Sequence, residues 1–88
     1  MKITGQYRKL IESVFPIEEE VEQIIGYLKQ DNYTAARIFT ADHLDALTEF
    51  EDDYKYENES IPKWINKDRR TTQKLYDFIM LELEKQYE

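Results

Sequence analysis

The sequence predicts an all-α fold: a compact bundle of four to five helices, mostly antiparallel neighbours, forming one small domain over residues 1–88. Three observations carry this. Apolar residues recur at helical spacing along most of the chain. Only two glycines and two prolines occur in 88 residues, too few for a turn-rich β architecture. The apolar fraction of 41% is enough for one core, in a chain short enough to bury only a modest share of its surface.

Ile3, Tyr7, Leu10, Ile11 and Val14 fall at i, i+4, i+7, i+8 and i+11, one stripe of an amphipathic helix. Ile17, Val21, Ile24, Ile25 and Leu28 repeat that spacing. Phe15-Pro16 separates the stripes. Proline disfavours helix at the residue before it and suits a first turn, so a second helix is expected to begin near Pro16. Glu18, Glu19 and Glu20 then sit where the helix dipole favours negative charge. Gly26 is expected to permit close helix packing. Asp31 and Asn32 offer caps for a third helix, from Tyr33 to about Tyr54, with a break near Thr40 as an open alternative. Around it, Ala36, Phe39, His43, Leu44, Leu47, Phe50 and Tyr54 share one face. Asp42, Asp45, Glu49, Asp52 and Asp53 share the opposite one, with Ile38 among them.

Lys55 to Ser60 reads as a loop. Ser60-Ile61-Pro62 reads as a helix start, with Ser60 as cap and proline in the first turn; Trp64 and Ile65 are expected to anchor it on the core. Lys63, Lys67, Arg69, Arg70 and Lys74 make the next stretch basic. The run Leu75 to Leu83 is apolar nearly all round, the pattern of a central, buried helix. Tyr7, Tyr33, Tyr76, Tyr87, Phe39 and Phe78 are expected in the core.

Charge is concentrated. Between Asp42 and Glu59 lie eight carboxylates and one lysine, a net of −7 that equals the formal charge of the whole chain. Like charges gathered this way oppose a compact fold, and a basic partner relieves them. The expected partner-binding residues are Asp42, Asp45, Glu49, Asp52, Asp53, Tyr54, Tyr56, Glu57 and Glu59. Acids steer the encounter with arginine and lysine, and tyrosines supply rigid contact area. The competing reading is an ordinary solvated helix face. Along one helix side the ridge carries roughly one charge per 5 Å. Duplex DNA carries about one per 1.7 Å, so imitating nucleic acid requires further acids such as Glu18, Glu19 and Glu22 on the same side.

Other chemistries are weak. The segment Glu51 to Glu57 lacks the glycine of a calcium loop and places Lys55 inside it; neither a metal nor another cofactor is expected. His43, the only histidine, has no nucleophile motif beside it and reads as structural, so the chain reads as non-enzymatic. Arg69 and Arg70 are expected to pair with the acids upstream, or else to form a second, positive patch. Absence of cysteine fits a cytoplasmic setting. No segment resembles a signal peptide or a membrane span. The net charge disfavours nucleic acid and anionic membranes as direct ligands.

In size, acidity, lack of cysteine and helical character the chain resembles nuclease immunity proteins and phage-encoded anti-defence inhibitors. That resemblance implies an inhibitor of a nuclease or other basic nucleic-acid-handling protein. It is a likeness of type and transfers no residues. The alternative is a structural or regulatory helical adaptor that self-associates, as a homodimer for example, through surplus apolar surface.

Overall fold

A computed structural model describes residues 1–87. It contains four helices: α1 (Gly5–Val14), α2 (Glu18–Lys29), α3 (Tyr33–Tyr56) and α4 (Lys63–Gln86). No strand occurs among the described residues. Thr4 caps α1, its hydroxyl accepting from the Tyr7 amide at 3.1 Å. Phe15 and Ile17 are both extended, at φ −108°, ψ 113° and φ −96°, ψ 123°. Proline holds its predecessor out of the helical region, and Ile17 becomes the residue preceding α2. Pro16 therefore lies in the link and not in the first turn of α2. The link turns Phe15 into the core, at 2% exposure, and leaves Ile17 at 54%. The expected apolar stripe of α2 loses Ile17.

The next two corners use one device. After α2, the Asn32 amide donates to the Tyr27 carbonyl at 2.8 Å and the Asp31 amide to Leu28 at 3.1 Å. After α3, the Glu59 amide donates to Tyr54 at 2.9 Å and the Asn58 amide to Lys55 at 3.1 Å. This is the Schellman pattern, which needs a left-handed residue after the helix. Asp31 and Asn58, each at φ 56°, supply it in place of glycine. The Asn32 side chain then caps α3 by accepting from the Ala35 amide at 3.3 Å.

Helix α3 runs unbroken past Thr40, whose hydroxyl donates to the Ala36 carbonyl at 2.9 Å. Helix α4 is likewise continuous for 24 residues, so the helix count is four. Ser60 is not its cap. Pro62 occupies that position, at φ −59° and ψ 143°, and helical geometry begins only at Lys63. A residue preceding proline is pushed extended, so Ile61 carries the chain in and Ser60 lies too far upstream.

Each helix packs on its neighbour in sequence, and α1 also packs on α4, which closes the ring. Tyr7 lies against Phe78, while Ser13 and Val14 lie near Lys67 and Thr71, so α1 and α4 run in opposite directions. Ile11, Phe15, Ile24, Leu28, Leu75 and Ile79 are the largest fully buried side chains of the central cluster. Burying each contributes about 1.5–3 kcal/mol relative to leaving it in water. Helix α4 is covered on only two sides, so the apolar run does not disappear inside. Phe78 is 41% and Leu81 52% exposed, and Tyr87, expected in the core, is 81% exposed.

Gly26 does not mark a close approach. A Cβ added there meets nothing within 4 Å, and its φ is not positive. Glycine in a helix interior costs about 1 kcal/mol relative to alanine. Gly26→Ala is expected to raise the unfolding free energy by about that amount, read from a denaturant midpoint at unchanged slope.

Tyr7 and Tyr33 make stability depend on pH at the alkaline end. Burial, with the charge of Glu82 next, pushes the Tyr7 phenol up to about 12. Burial, assisted by donation to Asp31 at 2.9 Å, does the same for Tyr33. A raised folded value favours the neutral phenol, so its stabilisation is complete below the ordinary value of 10.0 and is lost as pH rises towards 12. For Tyr7 this amounts to about 3 kcal/mol at full effect. Its hydroxyl is buried without a hydrogen-bond partner among the described residues, which costs about 1–3 kcal/mol. Tyr7→Phe is therefore expected to stabilise at neutral pH and to move alkaline unfolding upward, measured by circular dichroism between about pH 9 and 12.

Candidate protein-binding surface

Helices α1 and α2 have 10 and 12 residues, whereas α3 and α4 have 24 each. The short pair covers only part of the long pair. The ring of Phe15 lies 5.2 Å from His43, near the end of that cover. Beyond it, α3 after His43 and α4 before Asp68 project as a two-helix arm, and the molecule reaches 45 Å in its longest dimension. Leu47 and Ile65 are buried between the two helices of the arm.

The acidic ridge lies along this arm. Asp42, Asp45, Glu49, Asp52 and Asp53 are all exposed, on the side of α3 turned away from α4. They span about 17 Å of helix axis. None lies within 4 Å of a basic group among the described residues. Glu57 and Glu59, at the tip, are also exposed and without an ion pair among the described residues. Ile38 and Tyr56 lie on the same side of α3 at either end of the ridge, 48% and 86% exposed. Tyr54 is half-buried and offers less surface than expected.

Glu51 is the exception among the eight acids. It faces α4, where Arg69 holds it, and Lys55 approaches at 3.2 Å. Arg69 first and Lys55 second hold its carboxyl below the ordinary value of 4.5. The ionised form is thus favoured by folding. This brace is complete above the ordinary value and is lost as pH falls through the lowered one. Arg70 does not join it: its side chain is exposed and has no acidic partner within 4 Å among the described residues. Glu22, a candidate contributor to a larger acidic surface, is held by Arg8 at 2.6 Å.

His43 does not use the neighbouring Asp42 or Asp45. Its Nε2 lies 3.3 Å from the Asp68 carboxylate of α4, with Phe15 on its ring edge-on. The imidazole thus ties α3 to α4 at the base of the arm.

One feature was not legible as surface. Phe50, placed by periodicity on the core face of α3, is 51% exposed, and Trp64, expected to anchor α4, is also 51% exposed. They form an edge-to-face pair, ring centres 6.2 Å apart. Both lie on the side of the arm on which α1 and α2 sit, and Trp64 borders the end of α1. The outer edge of α4 is basic: Lys63, Lys67, Arg70 and Lys74 are exposed and without ion pairs among the described residues. The arm therefore has an acidic edge, a basic edge and an aromatic pair between them.

Among the described residues, no helix is long and apolar enough to cross a membrane. Comparison with protein-family models, with curated proteins and with solved structures finds no match.

Proposed function

We propose that this chain is a binding protein that holds a basic protein surface through the acidic edge of its arm, and so inhibits or neutralises a nuclease or another nucleic-acid-handling protein. One observation supports this most directly. Of the eight acids between Asp42 and Glu59, only Glu51 has a basic partner among the described residues, while the other seven are exposed and without one. Seven free carboxylates on one arm repel each other, and a cationic surface removes that cost. Phosphate backbones and anionic membranes meet the same field as a barrier. Exposed Tyr56 at the tip adds contact area of the kind that dominates interface energy. The nuclease or nucleic-acid-handling identity rests on the resemblance in size, acidity and helical character. The decisive experiment reverses Asp45, Glu49 and Asp52 together and measures capture of the basic partner; normal capture would falsify the ridge as the interface.

The alternative is a self-associating adaptor. Exposed Leu81 on α4 and Tyr87 just past its end are the observation in its favour. It gives the acidic edge no role.

A further inference from the structure

The uncovered side of the arm carries a second, more specific reading. It deepens the binding role proposed above and rests on it. Two antiparallel helices form the floor, and the end of α1 forms a step at its foot. At the step, Trp64, Lys67 and Thr71 of α4 meet Glu12, Ser13 and Pro16 around a cleft of about 380 Å³. The Phe50–Trp64 pair lies on the floor, half-exposed. Along the rest of the long pair, that layer is occupied by α1 and α2. The groove between two packed helices accepts a third by the same ridge-and-groove fit.

The rims fix the chemistry of the occupant. Asp53 is three residues after Phe50 and Glu49 adjoins it, so the α3 rim is acidic. Lys67 is three residues after Trp64 and Lys63 adjoins it, so the α4 rim is basic. We propose that the uncovered face seats an amphipathic helix of the partner protein. Its apolar side covers Phe50 and Trp64, its cationic flank lies over α3, and its anionic flank lies over α4. A purely cationic helix meets Lys63 and Lys67 with like charge.

A second copy of this chain does not fit. A two-fold axis along the arm sets acidic rim on basic rim, but it brings both α1/α2 layers to the same level, where they collide. An axis across the arm avoids the collision and sets acid against acid. The geometry favours a different protein.

The test uses three synthetic helical peptides with one shared apolar face. One has a cationic and an anionic flank, one has two cationic flanks, and one has two anionic flanks. Trp64 is the only tryptophan, so its emission reports occupancy of this face directly. The mixed-flank peptide is expected to bind tightest and to shift Trp64 emission to the blue. Phe50→Ala is expected to weaken it about tenfold. The double variant Lys63→Glu, Lys67→Glu is expected to switch preference to the doubly cationic peptide. Circular dichroism checks that both variants remain folded; all the substituted side chains are exposed. A doubly cationic peptide that binds wild type best, without moving Trp64 emission, overturns the inference and leaves the acidic edge standing alone. So does capture of a basic protein through the edge when no peptide moves Trp64. A blue shift that grows with protein concentration in the absence of peptide makes a second copy the occupant and also overturns it. Failure of the acidic edge itself has a different signature, partner capture indifferent to reversal at Asp45, Glu49 and Asp52.

Discussion

Reversing Asp45, Glu49 and Asp52 to lysine is expected to abolish partner capture while leaving the fold intact. All three side chains are exposed and free of ion pairs among the described residues, so no packing is lost. Asp42 and Asp45 are three residues apart and Glu49 and Asp53 four, so reversing one member of each turns a like-charge pair into an opposite-charge pair, each worth a few tenths of a kcal/mol. Lysine is also a better helix former than aspartate. The variant is therefore expected to melt at or above the wild-type temperature. Binding responds in the opposite direction. Each rim ion pair contributes about 0.2–1 kcal/mol, and reversal replaces attraction with repulsion. Three such changes amount to about 3 kcal/mol, or roughly a hundredfold in Kd. Much of that is expected in the association rate and to fade as salt rises. The control reverses Glu18, Glu19 and Glu84, which are also exposed and outside every ion pair found among the described residues. It changes net charge by the same amount on other parts of the surface. Capture that survives the control and is lost in the ridge variant assigns the effect to the arm. Equal loss in both assigns it to net charge and sinks the ridge.

The helices were legible because their periodicity is local. Ile24, Ile25 and Leu28, or Leu75 and Ile79, repeat at 3.6-residue spacing whatever surrounds them, and all are buried. The acidic side of α3 was legible for the same reason: five acids recur on one side of the helix, and exposed acids need no partner to be placed. The misreadings have a tertiary cause. Phe50, Trp64, Phe78 and Leu81 lie at positions that periodicity assigns to a core, yet the helices that cover a core stop short of them or pack elsewhere. Nothing in residues 44–67 reveals that α1 and α2 are only three turns long. The corners at Asp31 and Asn58 carried a faint signal, since aspartate and asparagine tolerate the left-handed region better than other side chains. Arg69 rather than Arg70 reaches Glu51 because of helix rotation, which depends on the packing of Ile65 and Leu75.

Phe15 and Ile17 give the sharpest stability contrast, because periodicity and packing rank them in opposite order. The repeated stripe assigns Ile17 to the core and leaves Phe15 in a link. The fold buries Phe15 to 2% and leaves Ile17 54% exposed. The Phe15 ring lies 5.2 Å from both Phe39, tilted, and His43, edge-on, so it joins the α1–α2 link to α3 at the base of the arm. Phe15→Ala is expected to cost about 3–5 kcal/mol. A chain of this size has about 4–13 kcal/mol in total, so the loss removes much of its stability and shifts the urea midpoint strongly. Ile17→Ala is expected to change stability by no more than about 0.5 kcal/mol. The reverse order, with Ile17→Ala the damaging change, means that the link turns the other way and that α2 presents a different face to α3. In that case His43 loses its aromatic neighbour, the α1/α2 layer meets the long hairpin at another angle, and the extent of uncovered arm beyond it must be redrawn.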